Sequence, residues 1–210
     1  MLWTKSRIYG SPDPPSPYTA KLAFPHLKFD EPVALTVVPG TSQMAMVERY
    51  GKILTFQNDP KTTDTKLFLD VAEALCVLQL QTLGIAFHPR FQHNGLFFVC
   101  YRMSDSKLGT RVSRFRVRQG DSWQADPDSE MFIISWPHGH DGGCLKFGPD
   151  GYLYISNGDE GSLHDPNGVG QDLSNLQCSI MRIDVDGNDG DKAYRIPQDN
   201  PFVDTPGARP

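Results

Sequence analysis

The side chains best suited to chemistry lie in two short glycine-rich segments. His140 lies in the run 136–144 (WPHGHDGGC), and Asp159 lies in the run 157–161 (NGDEG). A histidine with a carboxylate partner is the usual arrangement of a general base, because the carboxylate fixes the imidazole tautomer and stabilises the imidazolium after proton transfer. A turn histidine bonded to an aspartate for purely structural reasons is the alternative that these residues leave open.

The stretch between the two segments predicts how they are positioned. Residues 145–147 and 152–156 are short apolar runs separated by the turn Pro149-Asp150-Gly151, which is typical of two strands joined by a tight connection. Consecutive strands of one sheet would bring the loops that hold His140 and Asp159 to the same end of the domain. We therefore expect these two side chains to lie close together.

Similar runs predict strands along most of the chain, including residues 33–38, 44–47, 53–56, 83–87, 96–101, 112–117, 131–136 and 180–185. Residues 70–80 are read as either a short helix or a loop with apolar anchors. A glycine turn followed by an apolar run recurs at Gly51, Gly95 and Gly151, and this weak repeat favours a β-propeller over a sandwich or barrel. We predict an all-β fold of four-stranded antiparallel blades, with an N-terminal extension at 1–27 and a propeller portion at 28–210 that is incomplete at its C-terminus.

Composition excludes several classes of function. The formal net charge of −5 and the scattered Lys and Arg residues provide no basic face for nucleic acid. No apolar run is long enough to span a bilayer, and the first residues lack a secretory signal. The four cysteines, at 76, 100, 144 and 178, have no C-x-x-C spacing that would indicate a zinc site.

The run from His140 to Asp159 (HDGGCLKFGPDGYLYISNGD) resembles a signature of the soluble glucose and sorbosone dehydrogenases that depend on pyrroloquinoline quinone (PQQ). Three further stretches resemble motifs of that family in the same order: residues 83–89 with 94–95, residues 171–173 with 181–184, and residues 196–202. The resemblance covers roughly residues 28–210 and implies the six-bladed propeller of the full-length family.

The resemblance also implies roles for individual residues. His140 matches the base that takes a proton from the anomeric hydroxyl of an aldose-type sugar, and Asp159 matches the carboxylate that orients this base. Gln79 falls where the family has a Glu or Gln near the cofactor. Hydride would pass to PQQ while Ca²⁺ polarises the quinone. Most expected ligands of PQQ and Ca²⁺ would lie beyond residue 210.

Two departures from the family pattern leave a second function open. Cys144 stands where many members have Arg, and Cys178 stands where many have Gly. A non-catalytic propeller that binds a protein or a glycan is therefore the alternative to a dehydrogenase, since a fold does not determine a function. For the dehydrogenase, the resemblance implies an external electron acceptor such as a cytochrome, and a periplasmic or extracellular location.

Overall fold

The computed structural model describes residues 19–103, 109–118, 120, 124–161 and 163–210, and strands dominate it. In these ranges, eleven strands form three antiparallel sheets, and the strands of each sheet follow one another in sequence. The prediction of an all-β fold is confirmed. Within the same ranges, no helix is long and apolar enough to cross a membrane.

The three sheets also follow each other along the chain. The first sheet contains β1 (Pro32–Val37), β2 (Gln43–Glu48), β3 (Lys52–Gln57) and β4 (Lys66–Asp70). The second contains β5 (Leu80–Phe87), β6 (Leu96–Met103), β7 (Thr110–Val117) and β8 (Ala125–Trp136). The third contains β9 (Leu145–Phe147), β10 (Leu153–Ser156) and β11 (Ile180–Ile183). Two single-turn helices, α1 (Val71–Ala74) and α2 (Phe91–Asn94), and a 3₁₀ turn at Val169–Gln171 lie between strands.

The second strand of each sheet is entered through a turn that holds a glycine with positive φ. These glycines are Gly40 (φ 74°), Gly95 (φ 64°) and Gly151 (φ 82°), a conformation that residues with a Cβ rarely adopt. The repeat predicted from the sequence used Gly51 in place of Gly40, and it was wrong by one strand because Gly51 joins β2 to β3. Both turns precede an apolar run, so the local sequence does not distinguish them.

The second sheet is buried between the other two. Phe97 and Phe98 are successive residues of β6, and successive side chains of a strand point to opposite faces of the sheet. Phe97 packs against Phe68 of the first sheet, with ring centroids 5.0 Å apart. Phe98 belongs to a second buried cluster that includes Leu145 and other residues of the third sheet. Small antiparallel sheets stacked in this way are the arrangement of propeller blades.

Other parts of the chain refine the predictions. The segment 70–80 begins with the single-turn helix α1, which Asp70 caps by accepting hydrogen bonds from the backbone N–H groups of Ala72 and Glu73, both at 3.1 Å. The rest of the segment is loop. Strand β4 and the first half of β8 had not been predicted, because β4 has only three successive apolar residues and residues 125–130 are mostly polar.

The boundary of the N-terminal extension at residue 28 stays a prediction. Phe24 and Phe29 lie on either side of it, and both rings pack against Phe56 of β3, with centroid distances of 4.8 and 5.4 Å.

Candidate functional site

Three loops meet at one end of the third sheet. We call residues 137–144 the histidine loop and residues 157–161 the aspartate loop; residues 176–179 form the third. Because β9, β10 and β11 are antiparallel neighbours, the start of β9, the end of β10 and the start of β11 lie side by side. The sequence-based expectation that the loops holding His140 and Asp159 lie at the same end is confirmed.

Backbone hydrogen bonds join the histidine loop to the aspartate loop. The N–H of His140 donates to the carbonyl of Asp159 at 2.9 Å, and the N–H of Gly158 donates to the carbonyl of His140 at 2.8 Å. A third bond, from the N–H of Cys178 to the carbonyl of Gly158 at 2.8 Å, joins the aspartate loop to residues 176–179. The loops therefore continue the sheet beyond the ends of its strands.

Two glycines permit this close approach. A Cβ on Gly139 would lie 2.2 Å from the carbonyl oxygen of Asp159, and a Cβ on Gly158 would lie 2.2 Å from the carbonyl oxygen of His140. Both separations are far below any real van der Waals contact. The glycines that flank His140 and Asp159 in the sequence thus serve to bring the two loops together.

The side chains of His140 and Asp159 are in direct contact, with Nδ1 of the imidazole 2.5 Å from Oδ1 of the carboxylate. The same Oδ1 accepts the backbone N–H of Gly161 at 2.9 Å. The bond from Gly161, reinforced by the bond and the charge of His140, holds the pKa of the Asp159 carboxyl below its ordinary value. Asp159 is therefore ionised at neutral pH.

This contact determines what the imidazole can do. An ionised carboxylate only accepts hydrogen bonds, so Nδ1 of a neutral His140 carries the proton and Nε2 is left with a free lone pair. The His140 side chain is 65% exposed, whereas that of Asp159 is 21% exposed. The imidazole of His140 can therefore contact a ligand that enters from solvent, while the carboxylate of Asp159 stays partly buried.

Asp141 supports the histidine loop from its other side. Its carboxylate is only 7% exposed and accepts hydrogen bonds from Thr110 Oγ1 at 2.5 Å, from Arg102 Nη1 at 3.2 Å and from the N–H of Gly139 at 3.1 Å. Sequence reasoning had assigned no role to Asp141. A carboxylate beside a candidate base in a glycine-rich loop was visible in the sequence, but nothing there indicated that it points inward to the second sheet.

Gln79 lies in a neighbouring cleft of about 450 Å³, whose lining also includes Gln81, Arg102 and His138. The histidine that lines this cleft together with Gln79 is His138, whereas the candidate base His140 is not among the lining residues. Arg102 connects the cleft to the histidine loop, because the same guanidinium binds Asp141. The amide and guanidinium groups of the cleft are the kinds of donor that fit an anionic quinone such as PQQ.

Calcium binding stays a prediction. Among the described residues, no group of three or more His, Cys, Asp or Glu side chains lies close enough together to hold a metal ion. The run 184–190 contains several aspartates, but its Asp184 binds Arg195 at 2.7 Å.

His88 and the four cysteines are not among the side chains that form the His140–Asp159 contact. His88 is 2% exposed and its Nδ1 accepts hydrogen bonds from the N–H of Arg90 at 3.0 Å and from Asn94 Nδ2 at 2.8 Å, so it is a structural histidine. All four cysteines are free thiols, of which only Cys100 is buried. Cys144 is exposed beside the site, and its N–H donates to Ser156 Oγ at 3.2 Å.

Comparisons with known proteins show the family of the chain. The profile of the family described as glucose/sorbosone dehydrogenase matches residues 29–210. Aldose sugar dehydrogenase YliI of Escherichia coli is 28% identical over 200 residues, which cover 92% of this chain and 50% of that protein. The mouse Hedgehog-interacting protein is 31% identical over 133 residues, which cover 59% of this chain and 19% of that protein.

The PQQ-bound structure of aldose sugar dehydrogenase from Streptomyces coelicolor superposes with a TM-score of 0.64 at 24% identity, over 86% of this chain and 49% of the other. This likeness establishes the fold as that of the propeller dehydrogenases, with three blade-like sheets described in this chain. The curated relatives are longer, and the chain spans between about a fifth and a half of their lengths.

Proposed function

The chain belongs to the glucose/sorbosone dehydrogenase family, and from this premise we propose that the full-length protein oxidises an aldose-type sugar at its anomeric carbon with PQQ as the electron acceptor. His140 is the general base of this reaction and Asp159 is the carboxylate that orients it. The observation that carries the proposal is the 2.5 Å contact between His140 Nδ1 and Asp159 Oδ1 beside an exposed imidazole.

Each residue has one task in the reaction. Nε2 of His140 takes the proton of the anomeric hydroxyl, while the C–H hydrogen at the same carbon leaves with both electrons of its bond. Asp159 keeps the neutral imidazole in the tautomer that exposes Nε2, and it stabilises the imidazolium that forms. PQQ, when bound, supplies the acceptor for the hydride. The sugar becomes a lactone, and the two hydrogens that it loses are both accounted for.

Gln79 and Arg102 are the residues that would hold the cofactor on this portion of the chain. Both line the cleft beside the histidine loop, and together they offer amide and guanidinium N–H donors, while the charge of Arg102 is balanced by Asp141. No step is assigned to calcium, since the described residues contain no cluster of ligands for it. An exported location and an external electron acceptor such as a cytochrome belong to the same proposal, and they rest on the family alone.

The mouse Hedgehog-interacting protein supports a second candidate function. Its name states an interaction with another protein, and its identity of 31% to this chain is comparable to that of the dehydrogenase YliI. A non-catalytic propeller that binds a protein or a glycan would need the loops but not a proton-accepting imidazole. Turnover therefore distinguishes the two functions.

The test is the reconstitution of the full-length protein with PQQ and Ca²⁺, assayed by dye reduction with a panel of aldoses. We expect His140→Gln to lower kcat/KM by about 10²- to 10⁴-fold, the usual contribution of a general base. His93→Gln is the matched control, because His93 is exposed on α2 at the opposite end of the second sheet. Asp159→Asn should also lower the rate, since an amide no longer fixes the tautomer.

Wild-type protein that neither binds PQQ nor turns over any aldose would overturn the proposal in favour of a binding propeller. Turnover that survives His140→Gln would remove His140 from the mechanism while leaving the dehydrogenase in place. A folded Asp159→Asn variant with full activity would show that Asp159 is structural.

A further inference from the structure

Asp141 is a buried charged group beside the site that the proposed reaction does not use. Taking a charge out of water is costly unless the charge is paired and hydrogen-bonded. Asp141 meets this condition with three donors, one each from β6, β7 and the histidine loop. It is therefore a link between the second sheet and the loop that contains the candidate base.

The link reaches the peptide next to His140. Asp141 Oδ1 accepts the N–H of Gly139 at 3.1 Å, and the following N–H, that of His140, donates to the carbonyl of Asp159 at 2.9 Å. Two successive N–H groups are thus bound on opposite sides of the histidine loop, one by the second sheet through Asp141 and one by the aspartate loop. Such an arrangement fixes the direction in which the Cα–Cβ bond of His140 points.

The imidazole itself has little other support. Its side chain is 65% exposed, so packing does not lock its rotamer, and the contact with Asp159 depends on where the backbone places it. Thr110 Oγ1 makes the shortest of the bonds to Asp141, at 2.5 Å, and Thr110 is fully buried. Arg102 supplies the balancing positive charge from a half-exposed position.

We propose that Asp141 is a positioning residue: held by Thr110 and Arg102, it fixes the histidine loop so that Nδ1 of His140 meets Asp159. Its importance for catalysis rests on the proposed function, but its effect on the imidazole does not. The observable consequence is the tautomer of neutral His140, which the contact with Asp159 biases towards Nδ1–H.

The test measures that tautomer by the ¹⁵N chemical shifts of the ring in full-length protein labelled in histidine, with His140→Gln to assign the signals. We expect Thr110→Val, which removes the hydroxyl but no charge, to lower the Nδ1–H to Nε2–H ratio by about three- to tenfold, which corresponds to the net contribution of one ordinary hydrogen bond. Thr110→Ser restores the hydroxyl and should restore the ratio.

Thr82→Val is the matched control. Thr82 is also fully buried, and its hydroxyl bonds the carbonyls of Glu48 and Arg49, away from the histidine loop. It should cost stability without moving the His140 signals. If Thr110→Val does not fold, Arg102→Lys at its half-exposed position decides the question by the same measurement, with a smaller fall in the ratio expected.

An unchanged ratio in folded Thr110→Val or Arg102→Lys protein would overturn the proposal, as would an equal shift in Thr82→Val. The measurement needs neither sugar nor cofactor, so a shifted tautomer in a protein without turnover would support the positioning role while refuting the dehydrogenase. Where turnover exists, kcat of Thr110→Val should fall by about ten- to a hundredfold with KM nearly unchanged.

Discussion

Gly139 offers the sharpest test of the site geometry, because adding one methyl group there acts on the contact between the two loops and on little else. Its φ is not positive, so an alanine suits the backbone conformation, and the effect of Gly139→Ala is purely steric. The new Cβ would lie 2.2 Å from the carbonyl oxygen of Asp159 and 2.5 Å from the carbonyl carbon of Glu160. Both neighbours are backbone atoms, which cannot rotate away.

The size of the effect follows from these distances. The aspartate loop must retreat by about 1 Å to reach the closest approach that real carbon–oxygen contacts show. The bond from the N–H of His140 to the carbonyl of Asp159, now 2.9 Å, would then be too long to count as a hydrogen bond. We expect the free energy of unfolding to fall by about 2–3 kcal/mol, within the range for overpacked sites. A 1 Å displacement of the orienting carboxylate should lower turnover by about 10²-fold.

Urea denaturation and dye-reduction kinetics on Gly139→Ala and Gly151→Ala separate the two consequences. Gly151 has φ 82° and no atom within 4 Å of its virtual Cβ, so its alanine variant strains the backbone at the far end of β10 without touching the site. It should lose about 1 kcal/mol and keep full activity. The reasoning fails if Gly139→Ala retains wild-type turnover and is no less stable than Gly151→Ala.

Two further predictions concern groups away from the reaction. Burial lowers the pKa of His88 from its ordinary 6.5. Below pH 6.5 the unfolded chain therefore takes up a proton that the folded protein excludes. The stability contributed by neutral His88 is present above pH 6.5 and is lost as pH falls towards the folded pKa. The urea concentration at the unfolding midpoint should therefore decrease when the pH is lowered from 7.5 to 5.5, and it should decrease less in His88→Gln. An equal decrease in both proteins would contradict this. In native protein, iodoacetamide should modify the exposed Cys76, Cys144 and Cys178 but spare Cys100, whose pKa burial raises, until denaturant is added. Peptide mass spectrometry checks this, and early modification of Cys100 would show that the core around it opens readily.

The contact between His140 and Asp159 was within reach of the sequence because it depends on local rules. Two short strands joined by a tight turn must be antiparallel neighbours, so the loops beyond their far ends must meet. The close approach of the two loops at Gly139 and Gly158 is seen only in the structure. The 2.5 Å separation of the two side chains was not predictable, since it depends on hydrogen bonds to neighbouring peptides rather than on residue types.

Longer-range features were harder to predict. The repeat was assigned through Gly51, although Gly40 is the equivalent of Gly95 and Gly151. The residue at which each blade begins depends on which strands pair, and no single turn shows this. The inward direction of Asp141 depends on Thr110 and Arg102, which lie more than 30 residues earlier in the chain. No local pattern encodes such a contact.

The folded loops do not require the imidazole of His140 for their own structure. The histidine and aspartate loops are joined by backbone bonds and by glycines at the points of closest approach, and the buried carboxylate of Asp141 connects the histidine loop to the second sheet. None of these supports depends on an imidazole at position 140, and a side-chain pair with one largely exposed member contributes little to stability. A sequence selected only for folding would be free to lose this pair. We therefore expect His140→Gln to leave the urea midpoint nearly unchanged while it abolishes most turnover, and a large loss of stability would instead assign the pair to the fold.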